Sequence, residues 1–148
     1  MLFILSKTYE LWPGLIRLFR SAEDLRSGKK SNIVIADKYY DPGHGFREIL
    51  EKSGYHTVSV SSLSAIFDLL AQNRVDLVIV GITTTIEFCE SIIRQIKKMD
   101  LKIPVIVVSS LPDIGGKEEL MELGVKEWIN KPFDMNHVRQ KVDELLHV

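Results

Sequence analysis

The stretch DLVIVGITTTIE, residues 76–87, decides the fold class because a buried strand runs directly into a helix within it. The four residues before Gly81 are apolar on both faces, as expected for a strand covered by helices on both sides. Thr84 and Glu87 have the spacing of a capping box, which predicts the start of a helix. The helical stripe then continues with Ile86, Cys89, Ile93 and Ile96. A strand followed at once by a helix is typical of a parallel α/β protein.

The same alternation extends from Asn32 to the end of the chain. Apolar, β-branched runs end in polar turns, and each turn is followed by a segment of helical period. The predicted strands are residues 32–36, 57–60, 76–81, 104–109 and 127–130. Strands that alternate with helices pair in parallel through right-handed crossovers. We therefore predict a three-layer, doubly wound α/β fold with a five-stranded sheet, whose functional crevice lies outside the carboxyl ends of the strands.

The chain has 148 residues, which is enough for one domain with a substantial core. We place that domain at residues 32–148 and treat residues 1–31 as an N-terminal extension. The extension contains an amphipathic helix between Pro13 and Gly28. Its apolar arc consists of Leu15, Leu18, Phe19, Ala22 and Leu25. We expect this helix to pack on its own domain or on a second copy of the chain.

Composition and charge exclude several classes of protein. The net charge is −1, so no overall basic field attracts nucleic acid. No apolar run approaches the roughly 20 residues needed to span a bilayer. The opening MLFIL lacks a preceding basic region and is too short for a signal peptide. The single cysteine, Cys89, cannot form an internal disulfide. We expect a cytoplasmic protein that binds neither nucleic acid nor membrane.

The predicted strand ends bring together an acid, a hydroxyl and a lysine. These are Asp37 after the first strand, Ser109 after the fourth and Lys131 after the fifth. A carboxylate can hold a cation, while a hydroxyl and an ammonium can grip phosphate oxygens. The segments NIVIADK, VDLVIVG, IPVIVVSS and LGVKEWINKPFD, in this order, resemble a response-regulator receiver domain over residues 32–148. The resemblance implies a flavodoxin-like sheet of strand order 2-1-3-4-5.

The resemblance assigns roles to individual residues and also reveals a loss. Receivers end the first strand with two acids that hold magnesium, and the matching residues are Ala36 and Asp37. The third strand should end in the aspartate that accepts phosphate, but Gly81 occupies this position. Ser109 matches the family's hydroxyl at the end of the fourth strand, and Lys131 matches its lysine at the end of the fifth. On the fifth strand, Trp128 matches the switch aromatic. The bond between Lys131 and Pro132 is expected to be cis.

These departures predict a receiver without its phosphorylation chemistry. Glycine cannot form an acyl phosphate, and only Asp37 remains as a weak candidate metal ligand. Each lost carboxylate removes about 4 kcal/mol of cation attraction at about 4 Å and an effective dielectric constant of about 20. Since a millimolar site amounts to only about 4 kcal/mol, we expect negligible magnesium binding and no other cofactor. The function implied is a non-catalytic, protein-binding pseudo-receiver. Its partner, or a second copy, would bind the face formed by the fourth helix, fifth strand and fifth helix.

Three alternatives remain open from the sequence. A displaced acid, Asp41 or Asp113, could accept phosphate in a phosphorelay. A flavodoxin-like domain could instead bind a cofactor, although His44 in DPGHG has the wrong spacing for a cobalamin ligand and no flavin-type loop follows the first strand. A hydrolase would need Asp37, His44 and Ser109 to meet, which nothing in their spacing requires.

Overall fold

The computed structural model describes residues 30–37, 46–82, 86–110 and 115–146. The predicted N-terminal helix therefore lies outside the described residues. The same is true of Asp41, His44, Asp113 and the three threonines after Ile82.

One parallel sheet forms the centre of the fold. Its strands are β1 (Asn32–Asp37), β2 (His56–Val60), β3 (Leu77–Ile82), β4 (Val105–Ser109) and β5 (Val125–Asn130). Their order across the sheet is β2-β1-β3-β4-β5, and every neighbouring pair is parallel. This confirms the predicted fold class and strand order.

Within the described residues, five helices connect and cover the strands. They are α1 (Phe46–Lys52), α2 (Leu63–Ala71), α3 (Glu87–Lys98), α4 (Lys117–Leu123) and α5 (Met135–Leu146). The Ser62 side chain caps α2 by accepting a hydrogen bond from the Ala65 N–H, and the Asp134 carboxylate accepts one from the Asn136 N–H before α5. None of these helices is long and apolar enough to cross a membrane.

The start of α3 corrects one prediction. The helix begins at Glu87, with Ile86 at the cap position and no side-chain cap hydrogen bond. A capping box would make Glu87 the third helical residue, whereas it is the first. The helix thus begins two residues later than this pattern implies. Thr84 lies outside the described residues, and Ile86 packs against the apolar core beneath α3.

Two apolar cores lie on opposite faces of the sheet, because successive strand residues point to opposite sides. Val34, Val78 and Val80 face the core beneath α2, α3 and α4. Ile33 and Ile79 face the other core, which α1 and α5 cover. Strands β1, β3 and β4 are buried along nearly their whole length. Because every pair of neighbouring strands is parallel, the strands all end at one edge of the sheet, the carboxyl edge, and all begin at the opposite, amino edge.

Two neighbouring residues of α4 test this assignment of buried and exposed faces. Leu120 is 1% exposed and Met121 is 37% exposed. We expect Leu120→Ala to lower the free energy of unfolding by about 2–5 kcal/mol, since it removes buried methyl groups and leaves a cavity. Met121→Ala, the matched control, should change it by only about 0.5 kcal/mol. Urea unfolding measures both, and equal losses would contradict the described packing.

Candidate functional site

The register of the sheet brings the predicted site residues to its carboxyl edge. Asp37 of β1 lies directly opposite Gly81 of β3. In the next two ladders, Ile82 pairs with Ser109, and Ser109 pairs with Asn130. Asp37, Gly81 and Ser109 therefore lie at the ends of three adjacent strands, β1, β3 and β4.

The Asp37 carboxylate lies over the backbone of Gly81. Asp37 is buried, with 6% of its surface exposed. A Cβ atom added to Gly81 would lie 2.5 Å from Asp37 Oδ2 and 2.9 Å from its Cγ. Side-chain carbons do not approach other atoms so closely, so the two positions compete for one volume. At this point of the edge, the space for a β3 side chain is already filled by a carboxylate from β1.

Backbone hydrogen bonds fix the ends of β3, β4 and β5 relative to one another. The Lys131 N–H donates to the Ser109 carbonyl at 2.8 Å, and the Ser110 N–H donates to the Ile82 carbonyl at 3.1 Å. Ser109 is 2% exposed, whereas Lys131 is half-buried. The Lys131–Pro132 peptide bond is cis, the geometry that the resemblance implies. Ser109 and Lys131 thus follow the strands to the same edge as Asp37.

Trp128 lies on the outer strand β5 and is half-buried. Its indole N–H donates to Asn130 Oδ1 at 3.1 Å. The Lys117 ammonium, at the start of α4, is 5.8 Å from the centre of the Trp128 ring, within the range of a cation–π interaction. The ring also packs against the core beneath α4. Trp128 therefore links β5 to α4 through both apolar and cation–π contact.

The described residues at the positions matched to the family's metal ligands do not fit a magnesium site. Ala36, matched above to an acid of the family, is fully buried and belongs to an apolar core. Lys38, on the other side of Asp37 in the sequence, is a cation. Within the described parts of the chain, no three His, Cys, Asp or Glu side chains form a group that could hold a metal ion. Magnesium favours oxygen ligands that include carboxylates, and Asp37 alone is a poor set.

Cys89 has the burial of a structural residue. It lies on α3, fully buried in the core. Burial, with a smaller contribution from the negative charge of Glu90, raises the pKa of the Cys89 thiol to about 12. The thiol is therefore protonated near neutral pH, and only the thiolate is nucleophilic.

Sequence reasoning placed Asp37, Gly81, Ser109 and Lys131 at one edge but missed the contact between the first two. When an acid pairs with a glycine at the end of a strand, the sequence does not reveal the direction of the acid's side chain. Asp41, Asp113 and His44, the candidates for the alternative functions, lie outside the described residues.

A double-mutant cycle tests the contact between Asp37 and Gly81. We expect Gly81→Ala to lower the free energy of unfolding by about 1–3 kcal/mol, because its new methyl group meets the carboxylate. In an Asp37→Ala background the same substitution should barely change the free energy of unfolding, since the carboxylate no longer fills the space. Chemical denaturation of the four proteins gives the coupling. Additive effects would show that the carboxylate does not fill this space.

A second experiment tests the burial of Cys89. We expect its thiol to react with a disulfide reagent at pH 8 only after unfolding in urea, because the raised pKa and the surrounding core both suppress attack. Absorbance of the released thiolate measures the rate. Fast reaction of the folded protein would contradict the described burial.

Comparison with known proteins agrees with the described fold. The family model of the response regulator receiver domain matches residues 33–143. Sporulation initiation phosphotransferase F of Bacillus subtilis is 27% identical over 114 residues, which cover 77% of this chain and 92% of that protein. The heme response regulator HssR of Staphylococcus haemolyticus is 27% identical over 117 residues, or 76% of this chain but only 50% of that protein.

A solved structure shows the same fold. The crystal structure of a response regulator from Thermotoga maritima superposes with a TM-score of 0.68 at 20% sequence identity, covering 80% of this chain and 99% of that one. Together with the family match, this similarity extends over the five-stranded sheet and its helices. The chain belongs to the response regulator receiver domain family of two-component signalling.

Proposed function

We propose that this receiver domain acts without being phosphorylated, as a non-catalytic module that binds other proteins. The observation that carries the proposal is the Asp37 carboxylate over Gly81, where receivers are expected to carry the phosphate-accepting aspartate. The position lacks the carboxylate that forms an acyl phosphate, and a side chain placed there would have to displace the Asp37 carboxylate.

The charge at the same edge supports the proposal independently. A receiver is expected to gather three carboxylates around magnesium, whereas here Asp37 is the single acid at the matched positions. Magnesium neutralises the charge that develops when a phosphoryl group is transferred. Without a cation site, even an accepting side chain at this edge would lack the ion that assists transfer.

The surface formed by α4, β5 and α5 is the proposed contact for a protein partner or a second copy. This surface includes the Lys117–Trp128 contact and a half-buried cluster of ion pairs. In this cluster the Lys141 ammonium lies 3.6 Å from Glu127 Oε1 and 3.4 Å from Glu144 Oε2. Both carboxylates raise the pKa of Lys141. We place this contact in the cytoplasm, where relatives in two-component signalling would meet their partners.

The first test is exposure to a phosphoryl donor. We expect incubation with acetyl phosphate and magnesium to leave the intact mass of the protein unchanged, because Gly81 offers no acceptor. A receiver that carries the accepting aspartate serves as the positive control. A stable gain of one phosphoryl group would overturn the proposal, and Asp41→Asn and Asp113→Asn variants would then show whether either of these acids accepts it.

The second test restores the missing acid. We expect Gly81→Asp to remain unphosphorylated under the same conditions. The new side chain competes with Asp37 for one volume, and the cation site remains short of carboxylates. Circular dichroism should establish that the variant folds before its mass is measured. Efficient phosphorylation of this single variant would contradict both the steric and the charge reasoning.

A further inference from the structure

A groove at the opposite, amino edge of the sheet has an apolar floor and a basic rim. It lies where α3 and α4 end and where β4 and β5 begin, and its volume is about 540 Å³. We call it the amino-edge groove. Ile96, Ile103 and Leu123 contribute to its apolar lining, and Lys97, Lys102 and Lys126 to its basic lining. The site of Asp37 and Gly81 lies at the other ends of the same strands.

The three lysines carry charge that the described residues do not neutralise. None of them forms an ion pair with a carboxylate in the parts of the chain that the structure describes. Between residues 97 and 104 the sequence holds a single acid, Asp100, which does not line the groove. Glu127, next to Lys126 in the chain, is engaged with Lys141.

The placement of Lys126 and Lys102 is not explained by secondary structure alone. Lys97 lies in the last turn of α3, where a cation favours the helix dipole. Lys102, in contrast, lies in the connection before β4, where there is no helix end to stabilise. At Lys126 the ladder between β4 and β5 shifts register: Val105 pairs with Val125, but Ile106 pairs with Glu127. A bulge of this kind redirects a side chain, and here the extra residue lines the groove.

We propose that the amino-edge groove binds an acidic peptide segment of a partner protein that carries aliphatic side chains. Aliphatic side chains would bury the apolar floor, while carboxylates beside them would pair with the three lysines. An open groove of this kind suits an amphipathic segment whose apolar residues recur at i, i+3, i+4 and i+7. The proposal rests on the proposed function in one respect, that the domain acts through contacts with proteins.

A second cavity provides an internal contrast. It lies between α3 and α4, with a volume of about 650 Å³, and its lining includes Glu90, Glu119 and Glu122. Its one basic lining residue, Arg94, already pairs with Glu90 at 2.7 Å. Like charges disfavour an acidic ligand there. An acidic segment should therefore distinguish the two cavities by the sign of their charge.

The test uses the full chain and a fluorescein-labelled peptide of about 14 residues, built of Leu at the helical spacing and Glu elsewhere. We expect fluorescence anisotropy to show saturable binding that weakens as salt is added. Lys102→Glu/Lys126→Glu should weaken it by about 10-fold or more. Arg47→Glu/Lys52→Glu, both on α1 and outside the α4–β5–α5 surface, changes the net charge equally and should leave binding unchanged. A peptide with Lys in place of Glu should not lose affinity when the groove lysines are replaced by Glu.

Three results would overturn the proposal: no binding to the wild-type chain, equal weakening by both double variants, or retained binding after charge reversal in the groove. Sedimentation of the protein without peptide tests whether a second copy of the chain occupies the groove. Self-association that disappears in Lys102→Glu/Lys126→Glu would assign the groove to a second copy instead of a partner. These readouts are separate from phosphorylation. Failure of the peptide experiment would leave the mass measurement standing, and phosphorylation of the wild-type chain would not remove peptide binding.

Discussion

The chemistry of the carboxyl edge depends on the parallel register between β1 and β3. This register sets Asp37 directly opposite Gly81. Every residue of β1 and all of β3 except Gly81 are buried, so neither strand can slip by one position without turning its apolar side chains to the wrong core. The carboxylate is therefore held over a residue that has no side chain of its own. Filling that position with any other residue requires Asp37 to move, and Asp37 is itself buried.

The two edges of the sheet differ in chemistry while sharing one scaffold. Strands end at the carboxyl edge with Asp37 and Ser109 almost fully buried. They begin at the amino edge beside an open groove with three lysines. In open α/β sheets the crevice at the carboxyl ends is the usual functional site. Packing of the two apolar cores holds the surfaces at both edges in place.

The stability of the fold does not depend on a side chain at position 81. Stability comes from the two apolar cores on either side of the sheet, and Gly81 contributes no side chain to either of them. Cores tolerate many exchanges of apolar residues when volume and patterning are kept. This is consistent with 27% identity to the Bacillus subtilis relative over most of the chain.

The sequence by itself determined the alternation of strands and helices, the parallel sheet and the edge at which Asp37, Gly81, Ser109 and Lys131 meet. These follow from periodicity, since a buried strand in a parallel sheet needs apolar residues on both faces. Tertiary structure alone decided that the Asp37 carboxylate turns onto Gly81, that α3 begins at Glu87 without a side-chain cap, and that a bulge places Lys126 in the groove. Each of these depends on contacts between residues far apart in the chain. Local pattern carries the period of an element, but not the direction of one side chain or the register of one ladder.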